Sequence, residues 1–443
     1  MSLSLPPGPR GHFLIGSLPE FKRDMLGFFT GLARDYGGFV GFHLMHVPCV
    51  LINEPALIEE LLVRNESRLS KSWDVRKLSA MLGRGLLTAE GETWKRERRL
   101  IQPAFHPERI RHYARIMSEE AERIAAAWRD GDTRDIHADM MRVTLAIVAR
   151  ALFGESVEAE SQVIADALDA FMHWFERLLT GVPLPLAVPS PTNLRVRRAL
   201  RRLDAVVYGL IAKRRREGTA GRADLLSWLL DARDEQGEGI SDRQIRDEVA
   251  TFILAGHETT ALALSWTLML LAQHPEAEAR LHAELTQVLG GRVPGYEDYA
   301  RLPWTRQVVQ ESMRLYPPAW GLGRETLEEI TLGGYRLPRG TQVMPIQWVT
   351  HRDARFFPEP DRFRPERWAP DAPAAIPKFA YFPFGAGPRS CIGNGFAMVE
   401  AVLLLAVFAS HARFALVEPQ TIELQPAVTL RPRHGINVRI QRT

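Results

Sequence analysis

The sequence predicts a mainly α protein with minor β, built around a long central helix with small sheets near both ends, in a single domain over 1–443. Apolar residues recur at helical spacing from about Glu54 to Ala409, whereas strand-like alternation is confined to short pieces towards the two termini. No internal repeat, low-complexity tract or clear linker divides the chain. Its apolar and charged fractions suit a large folded core and exclude disorder as the default state.

VGFHLMHVPCVLIN at 40–53 alternates as a hairpin does. TGVPLPLAVPSP at 180–191 holds four prolines among apolar residues, so it reads either as a loop packed on its own helices or as a lipophilic lid over an entrance. RVRRALRR at 195–202 and KRRR at 213–216 fall within helical spacing, which predicts the solvated face of one helix. EVATFILAGHETTALALSWTLMLLA at 248–272 predicts a long buried helix whose one strongly polar patch is His257, Glu258, Thr259 and Thr260. Such a patch is costly unless something uses it. Thr259 can bond back to the carbonyl of Ala255, while Gly256 would let the helix open. Glu311 and Arg314 in QESMRLYPP stand three apart and can pair on one helix face. ITLGGYRLPRGTQVMPI at 330–346 and AVTLRPRHGINVRI at 427–440 supply further strands, separated by the irregular, proline-rich stretch at 358–377 that carries Arg367.

The net charge of +3 leaves no nucleic-acid-binding stripe, so nucleic acid is not an expected partner. Two cysteines, Cys49 and Cys391, cannot form a disulfide framework and fit a reducing compartment. The N-terminal MSLSLPPGPRG has no signal-peptide h-region and no membrane-length apolar run, so a cytoplasmic protein without a transmembrane anchor is expected.

Cys391 is the informative one. In FPFGAGPRSCIGNG the glycines at 385, 387, 393 and 395 permit backbone conformations that aim amide N–H groups at the sulfur, and an apolar helix starts just behind it. Such a thiolate could be a nucleophile or a metal ligand. A nucleophile would want a histidine base, which the segment lacks. A macrocyclic iron asks the protein for one axial sulfur only, and its two propionates ask for cations.

Phe384-x-x-Gly387-x-Arg389-x-Cys391-x-Gly393 resembles the haem-binding signature of the cytochrome P-450 family. The resemblance implies that family's fold, with the long central helix lying over a haem b whose iron is held by Cys391, and with Phe384 packed by the sulfur. It assigns AGHETT to the oxygen-binding groove, with Glu258 and Thr259 relaying protons. It makes Glu311 and Arg314 the family's ExxR element, joined by Arg367 in a buried structural network. Trp94, Arg98, Arg324 and Arg389 resemble the propionate partners, a role suited to the arginine fork. The motifs follow the family's order from 94 to 393, and the LPPGP start and terminal strands extend the likeness over nearly the whole chain.

The same resemblance places Trp73, Leu82, Leu87, Phe171 to Phe175, Ala255, Ala319, Trp320, Leu322 and Val428 to Leu430, including Thr429, around a distal pocket. Their apolar character implies a lipophilic substrate of the fatty acid, terpenoid or steroid class. The implied activity is insertion of one oxygen atom of O2, with electrons from a separate ferredoxin or flavodoxin and its reductase. Lys95, Arg96 and Arg99, beside Trp94 and Arg98, would offer the donor positive charge. Two alternatives share the fold: a haem isomerase or dehydratase, and a non-enzymatic haem sensor or carrier. A Rossmann reading of GAGPRS fails because Ser390 stands at the third small position, and a zincin reading of His257-Glu258 fails because Ala261 stands where a second histidine is needed.

Overall fold

The computed structural model describes residues 5–154, 160–180, 184–372 and 375–443. The hairpin expected at 40–53 is present as β1 (Phe39–Leu44) and β2 (Val47–Ile52), paired antiparallel. It is extended by β8 (Gln342–Pro345), which runs parallel to β2, then by β5 (Arg324–Thr326) and β3 (Leu69–Lys71), giving the order β1-β2-β8-β5-β3. β6 (Ile330–Leu332) and β7 (Tyr335–Leu337) form a small hairpin, as do β10 (Leu424–Pro426) and β11 (Leu430–Pro432). β4 (Thr133–Asp135), β12 (Asn437–Arg442) and β9 (Ala412–Leu416) make the remaining sheet.

The longer helices are α1 (Met25–Tyr36), α2 (Gly91–Ile101), α3 (Pro107–Ala126), α4 (Ile136–Ile147), α5 (Ser161–Thr180), α6 (Pro191–Glu217), α7 (Asp242–Gln273), α8 (Pro275–Leu289), α9 (Pro303–Leu315) and α10 (Asn394–His411). α7 lies in the middle, packed against α4, α6, α9, α10 and β9. Ser241 caps it by accepting from the Gln244 N–H, and nearly every residue from Ile245 to Leu271 is buried. α10 is apolar all round, which is the pattern of a helix enclosed by others rather than of one with a wet face. It is long and apolar enough to cross a membrane, yet most of it is buried inside the protein. Its Leu403, Leu404, Leu405 and Phe408 are fully buried, each contributing roughly 2 kcal/mol of transfer free energy.

Both basic runs lie on α6, and most of their arginines face solvent as expected. Arg214 is the exception: fully buried, it donates to Asp224, Ser227 and the Phe153 carbonyl. Of the proline-rich connector, 181–183 lie outside the described residues, while Leu184 and Val188 are exposed. In the 358–377 stretch, 373 and 374 likewise lie outside them.

The Glu311–Arg314 pair expected on α9 is bidentate, with both bonds at 2.8 Å and both side chains fully enclosed. Arg367 Nε donates to Glu311 Oε1 at 3.0 Å, and Trp368 Nε1 donates to the other carboxylate oxygen at 3.0 Å. Arg314 also donates to the carbonyls of His351, Pro360 and Arg362, so one guanidinium ties α9 to the chain that leads towards Cys391. Removing one member of a buried ion pair strands the other in low dielectric. Arg314→Met should therefore cost about 3–5 kcal/mol in a denaturant titration; a loss below about 1 kcal/mol, the range of an exposed pair, would contradict a structural role.

Candidate active site

The cysteine loop is closed by two backbone bonds: Cys391 N–H donates to the Phe384 carbonyl at 2.9 Å, and Ser390 N–H to that of Gly387 at 3.0 Å. Only Gly385 and Gly387 of the four glycines adopt positive φ, at 69° and 70°. A Cβ at Gly387 would also overlap the Leu62 carbonyl oxygen, so glycine is required there on two counts. Gly393 instead precedes the first residue of α10, and Gly395 lies inside it, close to Ile110. Arg98 of α2 donates to the Ser390 carbonyl at 2.7 Å, bringing its charge next to the sulfur. Burial pushes the Cys391 thiol up, and the Gly393 N–H and Arg98 pull against it without winning. A bound metal cation would favour the thiolate further.

Cys391 and Phe384 line a cavity of about 660 Å³. So do Thr251, Ala255, Thr259 and Ala263, which recur every four residues and form one stripe of α7. Thr259 Oγ1 donates to the Ala255 carbonyl at 2.6 Å, the back-bond anticipated above. Gly256 does not open the helix, which is continuous through it; a Cβ there would press on Val148 at 3.3 Å.

Glu258 points into a different environment. Its Oε1 accepts from Arg431 Nε at 2.7 Å and from the Thr429 hydroxyl, both supplied by the C-terminal chain. Burial alone would raise this carboxyl, but the Arg431 charge and the two hydrogen bonds overcome it and hold the pKa below the ordinary value. His257 is buried towards α4, where desolvation lowers it to about 4 and keeps it neutral.

The cavity lining includes Trp73, Leu87, Ala255, Ala319, Trp320, Leu322, Val428 and Thr429, as expected, together with Phe175. Leu82 does not belong to it. The chain turns at Gly83, where the Asp247 carboxylate of α7 receives the Arg84 N–H at 2.9 Å, and this presses Leu82 into the core, leaving Leu78, Leu86 and Leu87 on the lining. Phe171 and Leu430 are also fully buried and absent from the lining.

One edge of the cavity is cationic. Arg98, Arg324 and Arg389 all reach it, and the Arg389 guanidinium lies 3.8 Å over the Trp94 ring. Arg389 also bonds Glu66 and Glu90, each at 2.8 Å, whereas the Arg324 guanidinium donates to the Gly323 carbonyl and to no carboxylate among the described residues. Lys71 was not anticipated. The β3–β5 register sets it directly opposite Arg324, and burial, followed by repulsion from Arg389, lowers it to about 7. Like charges facing each other across strands are unfavourable without an anion between them. A thiol held in a glycine loop on an apolar cavity, with surplus cations at one edge, fits an iron macrocycle bearing two carboxylates. Among the described residues no cluster of three His, Cys, Asp or Glu could hold a bare metal instead.

Two further buried groups went unforeseen. Glu400 sits near Thr260 inside α10, with burial holding its carboxyl protonated. Glu97 of α2 shares a hydrogen bond with Glu248 of α7, whose other partners are the Leu86 N–H and Gln244. Neither carboxylate pattern is visible in sequence, since each residue sits in an ordinary helical run. The cations Lys95, Arg96 and Arg99 require a correction: they do not form an open positive patch. Lys95 pairs with Glu92 of the same helix at 2.7 Å, while the turn after residue 232 folds over α2 and pairs Arg96 with Asp234 at 2.7 Å and Arg99 with Glu235.

The model of the cytochrome P450 family matches residues 6–438. Cyclooctatin synthase of Streptomyces melanosporofaciens is 37% identical, over 95% of this chain and 92% of its own length. Pentalenene oxygenase of Streptomyces avermitilis is 34% identical, over 97% and 95%. Cyclooctat-9-en-7-ol 5-monooxygenase of Streptomyces melanosporofaciens is 35% identical, over 92% and 89%. The structure of retinoic acid bound cyanobacterial CYP120A1 superposes with a TM-score of 0.89 over 100% of both chains, at 26% identity. The fold and the thiol-bearing cavity are thus those of a haem-thiolate enzyme. This chain belongs to the cytochrome P450 family and is a P450 monooxygenase.

Burial drives both Glu97 and Glu248 upward, and for Glu97 the neighbouring charge adds to it, so the pair holds a proton at neutral pH. Unfolded carboxyls have released theirs by then, so this pair makes stability fall as pH rises above the ordinary carboxylate range. Glu97→Gln removes that titration and should gain on the wild type between about pH 5 and pH 8, read from denaturant midpoints. A difference that stays flat over this range would mean that no proton is shared.

Proposed function

We propose that this protein hydroxylates a lipophilic terpenoid, using haem b and electrons from a separate ferredoxin or flavodoxin with its reductase, in one haem domain spanning the chain. The observation that carries this reading is the shared cavity: the Cys391 thiol and the Ala255–Thr259 stripe of α7 line the same largely apolar space, with Arg98, Arg324 and Arg389 gathered at one edge. Three relatives named for oxidising cyclooctatin precursors or pentalenene support the terpenoid class over fatty acids and steroids. Two widely separated cysteines with no disulfide are consistent with a cytoplasmic setting.

In this reading Cys391 would hold the haem iron through its sulfur, and Arg98, Arg324 and Arg389, with Trp94 beneath the last, would hold the propionates. The bound haem supplies oxygen activation driven by thiolate donation. Phe384 packs beside the sulfur and limits water there. Trp73, Leu87, Ala319, Trp320, Leu322 and Thr429 hold the substrate by apolar contact and exclude solvent. Thr259 Oγ1 passes its proton towards the cavity and is reprotonated by Glu258, which is ionised and tethered at rest and takes up the replacement proton from solvent before giving it on. Retention of an acid and an alcohol on the cavity helix favours monooxygenation over isomerisation or haem storage, neither of which needs delivered protons.

Carbon monoxide added to the reduced protein should give the red-shifted Soret band of a thiolate-ligated haem; Cys391→His should move it to an ordinary haem-protein position, and an unmoved band would remove Cys391 from the iron. A panel of cyclic terpenes, fatty acids and steroids, titrated for the spin-state shift that accompanies loss of bound water, should single out the terpenes. Thr259→Ala should leave that titration intact and divert NADPH electrons into peroxide or water by roughly tenfold or more, within the range of a lost proton-transfer group. Unchanged coupling would count against the relay.

A further inference from the structure

Glu258 and Arg431 form a buried pair that neither chain segment could satisfy alone. Arg431 stands on β11, 173 residues away in sequence from Glu258 on α7, and its Nε donates to Glu258 Oε1 at 2.7 Å. Thr429, two residues earlier on the same hairpin arm, donates to the same oxygen. Glu258 Oε2 and Arg431 Nη2 are both enclosed without any hydrogen-bond partner, so the pair is held by one carboxylate oxygen only. On its outer side Arg431 Nη1 lies 3.9 Å from Asp169 of α5, whose side chain is 76% exposed. α5 also carries Phe175 and Leu178 of the cavity lining.

We propose that Arg431 is the positioning residue for Glu258: it fixes the carboxylate in its ionised form against the C-terminal hairpin, and Asp169 is the second anion that shares Arg431 when Glu258 takes up a proton. The inference rests on the reading of Glu258 as the proton source behind Thr259.

The charges around Glu258 agree with such a division. From α7 comes His257 and from α4 His137, both kept neutral by desolvation. From α5 come Asp169 and Glu176, which act on Arg431, with Asp166 beside Asp169. Among the described residues Arg431 is the cation with the largest effect on Glu258, and without it a buried carboxyl would take a proton. A half-satisfied pair with an exposed competitor 3.9 Å away can shift its partner without leaving a bare buried charge.

The test uses the haem-loaded enzyme and three variants. In Arg431→Gln, difference infrared spectra taken across a pH titration should reveal a protonated carboxyl stretch at neutral pH that the wild type lacks and that disappears in the Arg431→Gln, Glu258→Gln double variant. Product formed per NADPH should fall about tenfold, because a carboxyl no longer tethered by Arg431 is lost from its position behind Thr259, a drop at or below the range of a lost proton-transfer group. Arg431→Lys should restore most of both signals, which a packing role for the arginine would not allow. Asp169→Asn removes negative charge and should move the Glu258 titration the other way, to lower pH. The proposal is overturned if Arg431→Gln shows no new carboxyl band, if Arg431→Lys is as impaired as Arg431→Gln, or if Asp169→Asn leaves the titration unmoved. Should Arg431→Gln fail to fold, the lysine and asparagine variants still decide the matter. Should Glu258→Gln leave coupling intact, the relay itself is wrong, while the infrared band continues to report the ion pair independently.

Discussion

Helix α7 is buried over almost its whole length, and that single constraint organises the molecule. A polar side chain on such a helix cannot fall back on water, so it must bond to its own backbone or to another element. Ser265, Thr267 and Thr259 take the first course, each donating to the carbonyl four residues earlier. Glu248, Glu258 and His257 take the second, and so the helix reaches α2, the C-terminal hairpin and α4. The stripe that lines the cavity, Thr251, Ala255, Thr259 and Ala263, has only two polar side chains, and both donate to the helix's own carbonyls.

Electrostatics around that cavity are divided by position. The cations gather at one edge, where β3, β5, α2 and the cysteine loop converge, and they outnumber the carboxylates that reach them. The anions of α7 are instead neutralised by protein partners, Glu258 by Arg431 and Glu248 by sharing a proton with Glu97. Between these regions the lining is apolar. A ligand with an acidic edge and a hydrophobic body is accommodated without stranding a buried charge, which is the condition for holding haem and lipophilic substrate together.

The terminal strands act on the site from a distance. β10 and β11 add Val428, Thr429 and Arg431 to the neighbourhood of α7, although this part of the chain carries no recognisable chemical motif. The buried Glu311 network plays the complementary part on the side of the cysteine loop, joining α9 to the 351–367 segment. Rigid elements on both sides are what a preorganised site requires.

What the sequence by itself determined is local. The turn glycines and helix start around Cys391, the Thr259 bond to Ala255 and the Glu311–Arg314 pair all join residues within a few positions of one another, and backbone periodicity suffices to bring them together. The hairpins were legible from strand-like alternation, and part of the cavity lining through the family resemblance. The tertiary structure alone decided the identity of long-range partners: Arg431 for Glu258, Asp234 and Glu235 for the cations of α2, Lys71 facing Arg324, and Leu82 turned into the core. Each depends on how distant elements pack. A charged residue in a helical run reads the same whether it will face water or a partner more than a hundred residues away, because the sequence pattern records which face is buried and not what that face meets.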